Sequence, residues 1–355
     1  MAIVNDLQQF SQTKLPVEIF EHIADYLVTF VSPGVNNSGS ICSRKPFFSE
    51  VAGFMGASLM LHNIGMSRWV EVITIRAPED WEVVLRFFNT VSCLDGAFGS
   101  GVSDSILAQF PHLRTVSIDA HSDVYRNPSG RFSYRDVFTS LPVSLVCLEI
   151  THAHGPDLRI IEMARTYCPN LETLRLGRCT MFNRHLTCDF WSGFPFDHDA
   201  YIASDGTNEY ALSVSQEMIS LKKLKNLRLG VYLIPSTAVL AHRAYHVQNQ
   251  PEPAHIQWHQ ALIDLGIADA RQPPNPALLI SLYHQKPEPN FGPNSCTLCH
   301  DAFFNQSKNA EQNASVVMKE NIPSLETVEW MDWFSPSHLG ASSYTVSSLT
   351  EAHVH

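Results

Sequence analysis

The chain has 355 residues, of which 45% are hydrophobic and 17% are charged, and its formal net charge is −11. The length exceeds that of a typical single compact domain, and the apolar fraction excludes disorder along the whole chain. A negative net charge repels phosphate backbones, so we expect no sequence-independent binding of nucleic acid. The longest apolar run, 51–61, is too short to span a bilayer, so we expect no membrane partner.

The first twenty residues lack the basic segment followed by an apolar segment that marks a secretory signal. We therefore expect a cytoplasmic or nuclear protein, or one found in both compartments. In such a reducing environment the eight cysteines remain thiols and do not form a disulfide framework.

An amphipathic helix is predicted near the N-terminus, over residues 14–27. Apolar residues recur there at four-residue spacing, and Pro16 suits the first helical turn, where its missing N–H costs nothing. Periodicity alone favours an ordinary helix that packs on its own core. The apolar stripe consists of Leu15, Ile19, Ile23 and Leu27.

The string Leu15-Pro16-x-Glu18-Ile19, with its apolar continuation, resembles the opening of an F-box. An F-box is a short three-helix module that docks on the Skp-type adaptor of a cullin–RING ubiquitin ligase. Loop-forming residues over 31–40, and Phe47 where the family carries tryptophan, make this module divergent. The resemblance implies that the adaptor-binding residues are Leu15, Pro16, Ile19, Ile23 and Leu27.

A second pattern recurs six times along the body of the chain: an apolar residue, another three positions on, and a third two positions beyond. The last two members alternate with polar residues, which predicts a strand with one buried face. Helix-compatible segments over 102–110, 157–168, 214–221 and 310–321 precede four of these strands. The repetition predicts an α/β solenoid with a parallel sheet. The triples are Val70-Ile73-Ile75, Leu113-Val116-Ile118, Leu145-Leu148-Ile150, Leu171-Leu174-Leu176, Leu224-Leu227-Leu229 and Leu325-Val328-Trp330.

One copy, Leu171-x-x-Leu174-x-Leu176-x-x-Cys179, matches the leucine-rich repeat consensus in full. The other five match only its first half, and their spacing is irregular, so the predicted solenoid is degenerate. An ordinary α/β domain with several short buried strands is the alternative. The ninth positions of the five incomplete copies are Pro78, His121, Ala153, Tyr232 and Trp333.

The predicted organisation is a small all-α F-box-like module followed by an irregular leucine-rich-repeat-like domain. The module covers residues 1–60, the repeat domain 61–340 and a tail 341–355. Two insertions interrupt the repeats, at about 181–210, which is aromatic and acidic, and at about 248–295, which is rich in proline. Such insertions form loops at one edge of a repeat protein and often take part in binding.

An F-box followed by irregular leucine-rich repeats resembles the F-box/leucine-rich family in its divergent fungal form. The resemblance implies a non-catalytic substrate receptor of an SCF-type ubiquitin ligase, whose partners are the Skp-type adaptor, the cullin scaffold and a protein target. A repeat-based interaction scaffold with no link to ubiquitin, its N-terminal helix serving as a cap, is the alternative. Side chains between the buried strand residues point to the concave face, and the candidate target-binding residues are Arg76, Asp119, Glu149, Arg175, Arg228 and Glu329.

The string Cys296-x-x-Cys299-His300 has the spacing of c-type haem attachment and of half a zinc site. A closed zinc site needs four ligands, and no second Cys-x-x-Cys pair occurs, which leaves His284 and His300 as the nearest additional ligands. The chain also lacks the nucleophile elbow, the phosphate-binding loop and the dinucleotide fingerprint. We expect no catalytic residue and no cofactor, and a zinc-binding protein or hydrolase using Cys296 and Cys299 is the second alternative.

Overall fold

The computed structural model describes seven α-helices, two short 3-10 helices and eleven strands. The described residues are 15–30, 41–77, 79–87, 89–97, 105–136, 138–155, 157–179, 188, 190, 201–202, 206–234, 297–335 and 340–346. The helices are α1 (Val17–Leu27), α2 (Phe48–Gly56), α3 (Leu59–Trp69), α4 (Asp80–Val84), α5 (Asp157–Tyr167), α6 (Thr207–Glu217) and α7 (Thr297–Asn321), and the 3-10 helices are Leu85–Phe87 and Ile106–Gln109. The strands are β1 (Val72–Ile75), β2 (Cys93–Ala97), β3 (Thr115–Asp119), β4 (Val124–Arg126), β5 (Phe132–Tyr134), β6 (Cys147–Ala153), β7 (Thr173–Arg178), β8 (Tyr201–Ile202), β9 (Asn226–Leu233), β10 (Thr327–Met331) and β11 (Ala341–Thr345).

The predicted parallel sheet is present as one open sheet. Strands β1, β2, β3, β6, β7, β9 and β10 lie side by side in that order, and every neighbouring pair is parallel. Strand β11 adds an antiparallel edge next to β10, and the short β8 pairs with β9. A separate antiparallel hairpin, β4–β5, follows β3. The polypeptide therefore builds the sheet from one edge to the other in chain order.

The last two residues of all six predicted apolar triples lie in this sheet, on β1, β3, β6, β7, β9 and β10, and the first residue of each triple lies two positions before its strand begins. Their middle members share one register row, in which Val116, Leu148, Leu174, Leu227 and Val328 are all buried. The prediction missed β2, because it has Gly96 where a triple would place its third apolar residue. A Cβ at Gly96 would lie 3.3 Å from the Cβ of Ile75, so the close packing of β1 and β2 favours glycine here.

Helices cover the apolar face of the sheet. The predicted helix 157–168 is α5, the predicted helix 310–321 is the second half of α7, and the predicted 214–221 overlaps α6, which begins earlier. Of the predicted helix 102–110, the described part forms only the 3-10 helix. Side chains of α5, α6 and α7 join the strand residues in one continuous core, represented by Ile161, Ala164, Ala211, Val214, Ala314 and Met318.

The three N-terminal helices pack together around Val28, Val51 and Met55. A Cβ at Gly65 would lie only 2.5 Å from Cγ of Met55, so the crossing of α2 and α3 requires glycine at this contact. Helix α3 ends at Trp69 and leads directly into β1. The helical module therefore extends beyond the predicted limit at residue 60.

The predicted tail, 341–355, begins with the edge strand β11, and Val346 after it is fully buried. The sequence of β11, ASSYT, lacks the apolar triple, so no strand was predicted there. Of the insertion 181–210, the structure describes Cys188, Phe190, β8 and the start of α6. The insertion 248–295 lies outside the described residues.

Candidate docking surfaces and a His and Cys cluster

The apolar stripe of α1 faces solvent along most of its length. Leu15, Ile19 and Ile23 are 53%, 42% and 39% exposed, and Pro16 before the helix is exposed too. Leu27, at the end of the stripe, is half-buried against the core of the helical module. The helix packs on the module through its other side, where Ala24 is buried. Of the five residues that the F-box resemblance singles out, Ile19, Ile23 and Leu27 lie on α1 and Leu15 and Pro16 directly precede it, and all except Leu27 are exposed.

The same small module exposes further large apolar side chains on α1 and near the starts of α2 and α3. Single exposed apolar residues are common on protein surfaces, but such a concentration in one module is typical of an interaction surface. These side chains are Val17, Tyr26, Phe47, Phe48, Leu59 and Met60.

The polar side of the sheet carries one continuous row of side chains across the parallel strands. Neighbours in this row occupy the same register position on adjacent strands, so their side chains point the same way. The row runs Thr74, Asp95, Ser117, Glu149, Arg175, Arg228 and Glu329. Four of the six predicted target-binding residues lie in this row. Asp95 also lies in it but was not predicted, because strand β2 was not predicted.

The charge in this row changes from strand to strand, with carboxylates on β2, β6 and β10 and guanidinium groups on β7 and β9. Burial raises the pKa of Asp95, and the negative charges of Glu149 and Asp119 raise it further. Burial lowers the pKa of Arg228, and the neighbouring Arg175 adds to the effect. The two guanidinium groups of this row are adjacent and are flanked by Glu149 on one side and Glu329 on the other, an arrangement that favours a ligand with a complementary charge pattern.

Glu149 differs from the other predicted target-binding residues because it is only 5% exposed. Its Oε2 accepts hydrogen bonds from Oγ of Ser117 at 2.8 Å and from the backbone N–H of Ile41 at 3.3 Å. Its Oε1 lies 3.7 Å from Nη1 of Arg175. The carboxylate is therefore engaged within the protein, whereas Arg76 is exposed and Asp119, Arg175, Arg228 and Glu329 are half-buried.

Ile41 and Cys42, which precede α2, lie against the polar side of the sheet. The thiol of Cys42 donates to the carbonyl oxygen of Leu94 at 3.3 Å. Cys42 also packs with Val72 and Cys93, and Phe30 contacts both this group and the core of the helical module. The module and the sheet are therefore joined by a packed contact.

Four potential metal ligands meet at the carboxyl end of the central strands. His121, His154 and Cys179 follow β3, β6 and β7, which are neighbours in the sheet, and Cys188 comes from the insertion after β7. One ligand atom from each residue can be chosen so that all four lie within 4.8 Å of one another. His154, Cys179 and Cys188 are buried, and His121 is half-buried.

The distances inside this His and Cys cluster are short. The Nε2 atom of His154 lies 3.3 Å from Sγ of Cys188, and that sulfur lies 3.8 Å from Sγ of Cys179. The ring centroids of His121 and His154 are 5.0 Å apart. The two thiols are not joined in a disulfide.

Asp123, in the turn between β3 and β4, orients His154. Its Oδ1 lies 2.8 Å from Nδ1 of the ring, and its Oδ2 accepts the backbone N–H groups of His154 and Gly155 at 2.8 and 2.7 Å. Burial by itself lowers the pKa of His154, but the hydrogen bonds to Asp123 and Cys188 outweigh it and raise the pKa to about 9. The ring is therefore held in a fixed position by a carboxylate, with Nε2 directed at the two sulfurs.

Aromatic side chains pack around the cluster. The ring of Phe190 lies 4.7 Å from that of His154 and 5.2 Å from that of Phe132 on the β4–β5 hairpin. A cleft of about 230 Å³, lined in part by His121, Arg126 and Cys188, opens beside the ligands. The site is thus largely shielded from water but retains a path for a small ion.

Sequence reasoning placed its weak metal candidates elsewhere. Cys296 lies outside the described residues, and Cys299 belongs to α7, of which only the backbone is described at that position. The repeat pattern nevertheless contained a signal, since His121 and Cys179 are ninth positions of two copies and His154 follows a third. Equivalent repeat positions meet at the same edge of a parallel sheet, which is how these residues come together.

No family model, curated protein sequence or solved structure matches the chain. Within the described ranges, no helix combines the length and the apolar character that crossing a bilayer requires. The function of the chain is therefore inferred from the geometry of its own residues.

Proposed function

We propose that the chain is a non-catalytic substrate receptor of an SCF-type ubiquitin ligase. In this proposal the helical module binds a Skp-type adaptor through Leu15, Pro16, Ile19, Ile23 and Leu27, and the adaptor connects it to the cullin scaffold. The observation that carries the proposal is the solvent exposure of the apolar stripe on α1. An apolar stripe that packed on the chain's own core would have favoured an ordinary structural helix.

The energetics are consistent with a docking surface. Fully burying a leucine or isoleucine side chain contributes about 1.5–3 kcal/mol. Because Leu15, Ile19 and Ile23 are each about half exposed, their burial by a partner would contribute on the order of 1 kcal/mol each. The exposed aromatic residues Phe47 and Phe48 of the module add to the available apolar area.

The body of the chain suits the second half of the proposal. Strands that follow one another in chain order, with helices on one side, support a degenerate leucine-rich-repeat-like solenoid. Its polar row, with both charge signs half-buried between strands, is suited to a protein target with polar and charged groups. We expect such a receptor to act in the cytoplasm, the nucleus or both.

A specific observation favours the alternative, an interaction scaffold whose N-terminal module is a cap. Cys42 packs on the sheet, and Phe30 links the two apolar clusters, as a capping element would. The deletion of residues 1–50 would remove these contacts and destabilise the sheet under either proposal. Surface substitutions on α1 therefore discriminate better than a deletion.

The test is a pull-down from native extract with the tagged chain and a double variant, Ile19→Asp with Ile23→Asp. The matched control is Val143→Asp with Ile219→Asp, which replaces two exposed β-branched residues, 63% and 52% exposed, outside the module. We expect the wild-type chain and the control to retain the adaptor and the cullin, and the α1 variant to lose both. Circular dichroism should show the same fold in all three proteins.

Two results would decide against this function. A wild-type chain that retains neither adaptor nor cullin would favour the scaffold alternative. Loss of the adaptor in the control variant as strongly as in the α1 variant would mean that general surface polarity, and not the stripe, governs the interaction.

A further inference from the structure

We propose that His121, His154, Cys179 and Cys188 bind a structural zinc ion that fastens the insertion after β7 to the carboxyl end of the sheet. This zinc site is independent of adaptor binding, because none of its four residues belongs to the helical module. It is inferred from the distances, the burial and the hydrogen bonding of the cluster.

The sulfur and nitrogen positions fit one tetrahedral ion. Two thiolates bound to zinc at about 2.3 Å lie about 3.8 Å apart at the tetrahedral angle. The sulfurs of Cys179 and Cys188 are 3.8 Å apart. A thiolate and an imidazole nitrogen on the same ion lie about 3.6 Å apart, close to the 3.3 Å between Cys188 and His154.

The tautomer of His154 is fixed in the form that a metal requires. A carboxylate accepts hydrogen bonds, so Asp123 at 2.8 Å places the ring proton on Nδ1. Nε2, which faces the sulfurs, is then the nitrogen that gives up its proton and binds the metal. Histidines that bind metals commonly donate their other ring N–H to a carboxylate in this way. Asp123 is therefore a positioning residue for the ligand His154.

His121 completes the set from the neighbouring strand. Its backbone N–H donates to Oδ1 of Asp119 at 3.0 Å, which fixes the turn after β3. Its ring meets that of His154 with centroids 5.0 Å apart. Two imidazoles and two thiolates form the ligand set found in many structural zinc sites.

The charge of the two thiolates and the softness of sulfur as a metal ligand favour zinc over other divalent cations. Two thiolates neutralise a divalent cation, so binding leaves no net charge among the four ligands and releases to solvent the two thiol protons and the proton on Nε2 of His154. A tetrahedral set of two sulfurs and two nitrogens selects zinc over magnesium or calcium, which prefer oxygen ligands. Four protein ligands leave no open coordination position, which makes the site structural and not catalytic.

The position of the site explains its purpose. His121, His154 and Cys179 lie on turns that the sheet already fixes, whereas Cys188 belongs to the insertion. An ion shared by all four would anchor the insertion, including Phe190, which packs on His154. Cys188 and Phe190 are then held at the carboxyl ends of β3, β6 and β7.

The first test uses the wild-type chain and needs no substitution. Protein purified under reducing conditions should contain one zinc ion per chain by mass spectrometry of the metal. Replacement with Co²⁺ should give the visible bands of a tetrahedral ion and a thiolate-to-metal charge-transfer band. A chain that contains no zinc when expressed with added zinc, and that shows no cobalt spectrum, would overturn the proposal.

The second test locates the ion. Cys179→Ser and Cys188→Ser should lose the zinc and the charge-transfer band, while Cys147→Ser, a thiol on β6 outside the cluster, should retain both. The double variant Cys296→Ser with Cys299→Ser should also retain the ion. Zinc lost from the double variant and kept in Cys188→Ser would overturn the assignment. A Cys179–Cys188 disulfide in the purified protein, seen as the loss of two hydrogens by mass, would do the same.

Discussion

Asp123 offers the sharpest single substitution, because one side chain supports both a backbone turn and the orientation of His154. Its carboxylate accepts three hydrogen bonds, two from the backbone N–H groups of His154 and Gly155 and one from the imidazole. Asp123→Asn retains the shape but replaces one oxygen by an NH₂ group, which donates. The amide oxygen can still accept the two backbone N–H groups only if the NH₂ group faces the ring.

The ring then responds by changing tautomer, so that Nδ1 accepts and Nε2 carries the proton. The two backbone hydrogen bonds lose their charge assistance, worth about 0.5–2 kcal/mol each, so we expect the free energy of unfolding to fall by about 1–3 kcal/mol. A protonated Nε2 of His154 has no lone pair for a metal ion. We therefore expect zinc affinity to fall about 10–100-fold, the usual effect of removing such a carboxylate partner.

Urea unfolding with a chelator present measures the stability effect alone, and competition against a chromophoric chelator measures zinc affinity. The matched control is Asp136→Asn, since Asp136 pairs with Arg159 at 3.3 Å on the surface. Exposed ion pairs contribute about 0–1 kcal/mol, so the control should change neither quantity by much. If Asp123→Asn and Asp136→Asn unfold at the same urea concentration and bind zinc equally, the role assigned to Asp123 is wrong.

Four further predictions concern packing, hydrogen bonding and thiol reactivity. Gly230→Ala on β9 should lower the free energy of unfolding by about 1–3 kcal/mol, because the new Cβ would lie 2.6 Å from the carbonyl oxygen of Leu176. Gly53→Ala in α2, where nothing lies within 4 Å of the new Cβ, should instead raise it by up to about 1 kcal/mol. Urea unfolding measures both changes. Trp330→Phe should lower the free energy of unfolding by about 1–3 kcal/mol, because the buried indole N–H donates to Oγ of Ser315 at 2.9 Å and that hydroxyl would lose its donor. A urea midpoint equal to that of the wild type would contradict this prediction. Burial raises the pKa of Cys168 to about 12, so at pH 8 its thiol stays protonated and iodoacetamide should modify it only after unfolding. The contribution of the neutral thiol to stability should be lost as pH rises from about 9 to 12. Modification as fast in the folded chain as in the unfolded chain, measured by peptide mass, would refute this prediction.

The sheet was predictable because its evidence is local. Each apolar triple encodes a strand with one buried face, and identical triples pair in register because their buried residues must share one side. Strand β2 was not predicted because Gly96 interrupts the apolar pattern. Strand β11 was not predicted because an edge strand paired on one side needs fewer apolar residues. The end of the helical module at Trp69 was missed for a similar reason, since α3 carries only a weak apolar stripe.

The His and Cys cluster shows what a linear sequence conceals. Its four ligands are spread over positions 121 to 188, and no short motif joins them. A β-bulge between Ile150 and Ala153, with φ of 55° at His152, shifts the end of β6 by a residue and aims His154 at the sulfurs. Aligning the ninth positions of the repeats would have brought His121 and Cys179 together, but only the bulge explains why His154 joins them.

The burial of Glu149 has the same kind of cause. The strand pattern predicted correctly that its side chain lies on the polar side of the sheet. The sequence carried no sign that Ile41, more than a hundred positions earlier, would donate to its carboxylate. Long-range contacts of irregular segments leave no periodic signal, so they are the part of a surface that strand periodicity does not reveal.

Adaptor docking can be measured directly with purified components. The chain, a Skp-type adaptor and the corresponding cullin should elute together in size-exclusion chromatography, with a light-scattering mass that equals one copy of each. Ile19→Asp with Ile23→Asp should elute alone, while Val143→Asp with Ile219→Asp should behave as the wild type. A folded wild-type chain that elutes separately from the adaptor at every concentration tested would contradict the assignment of α1 as a docking helix.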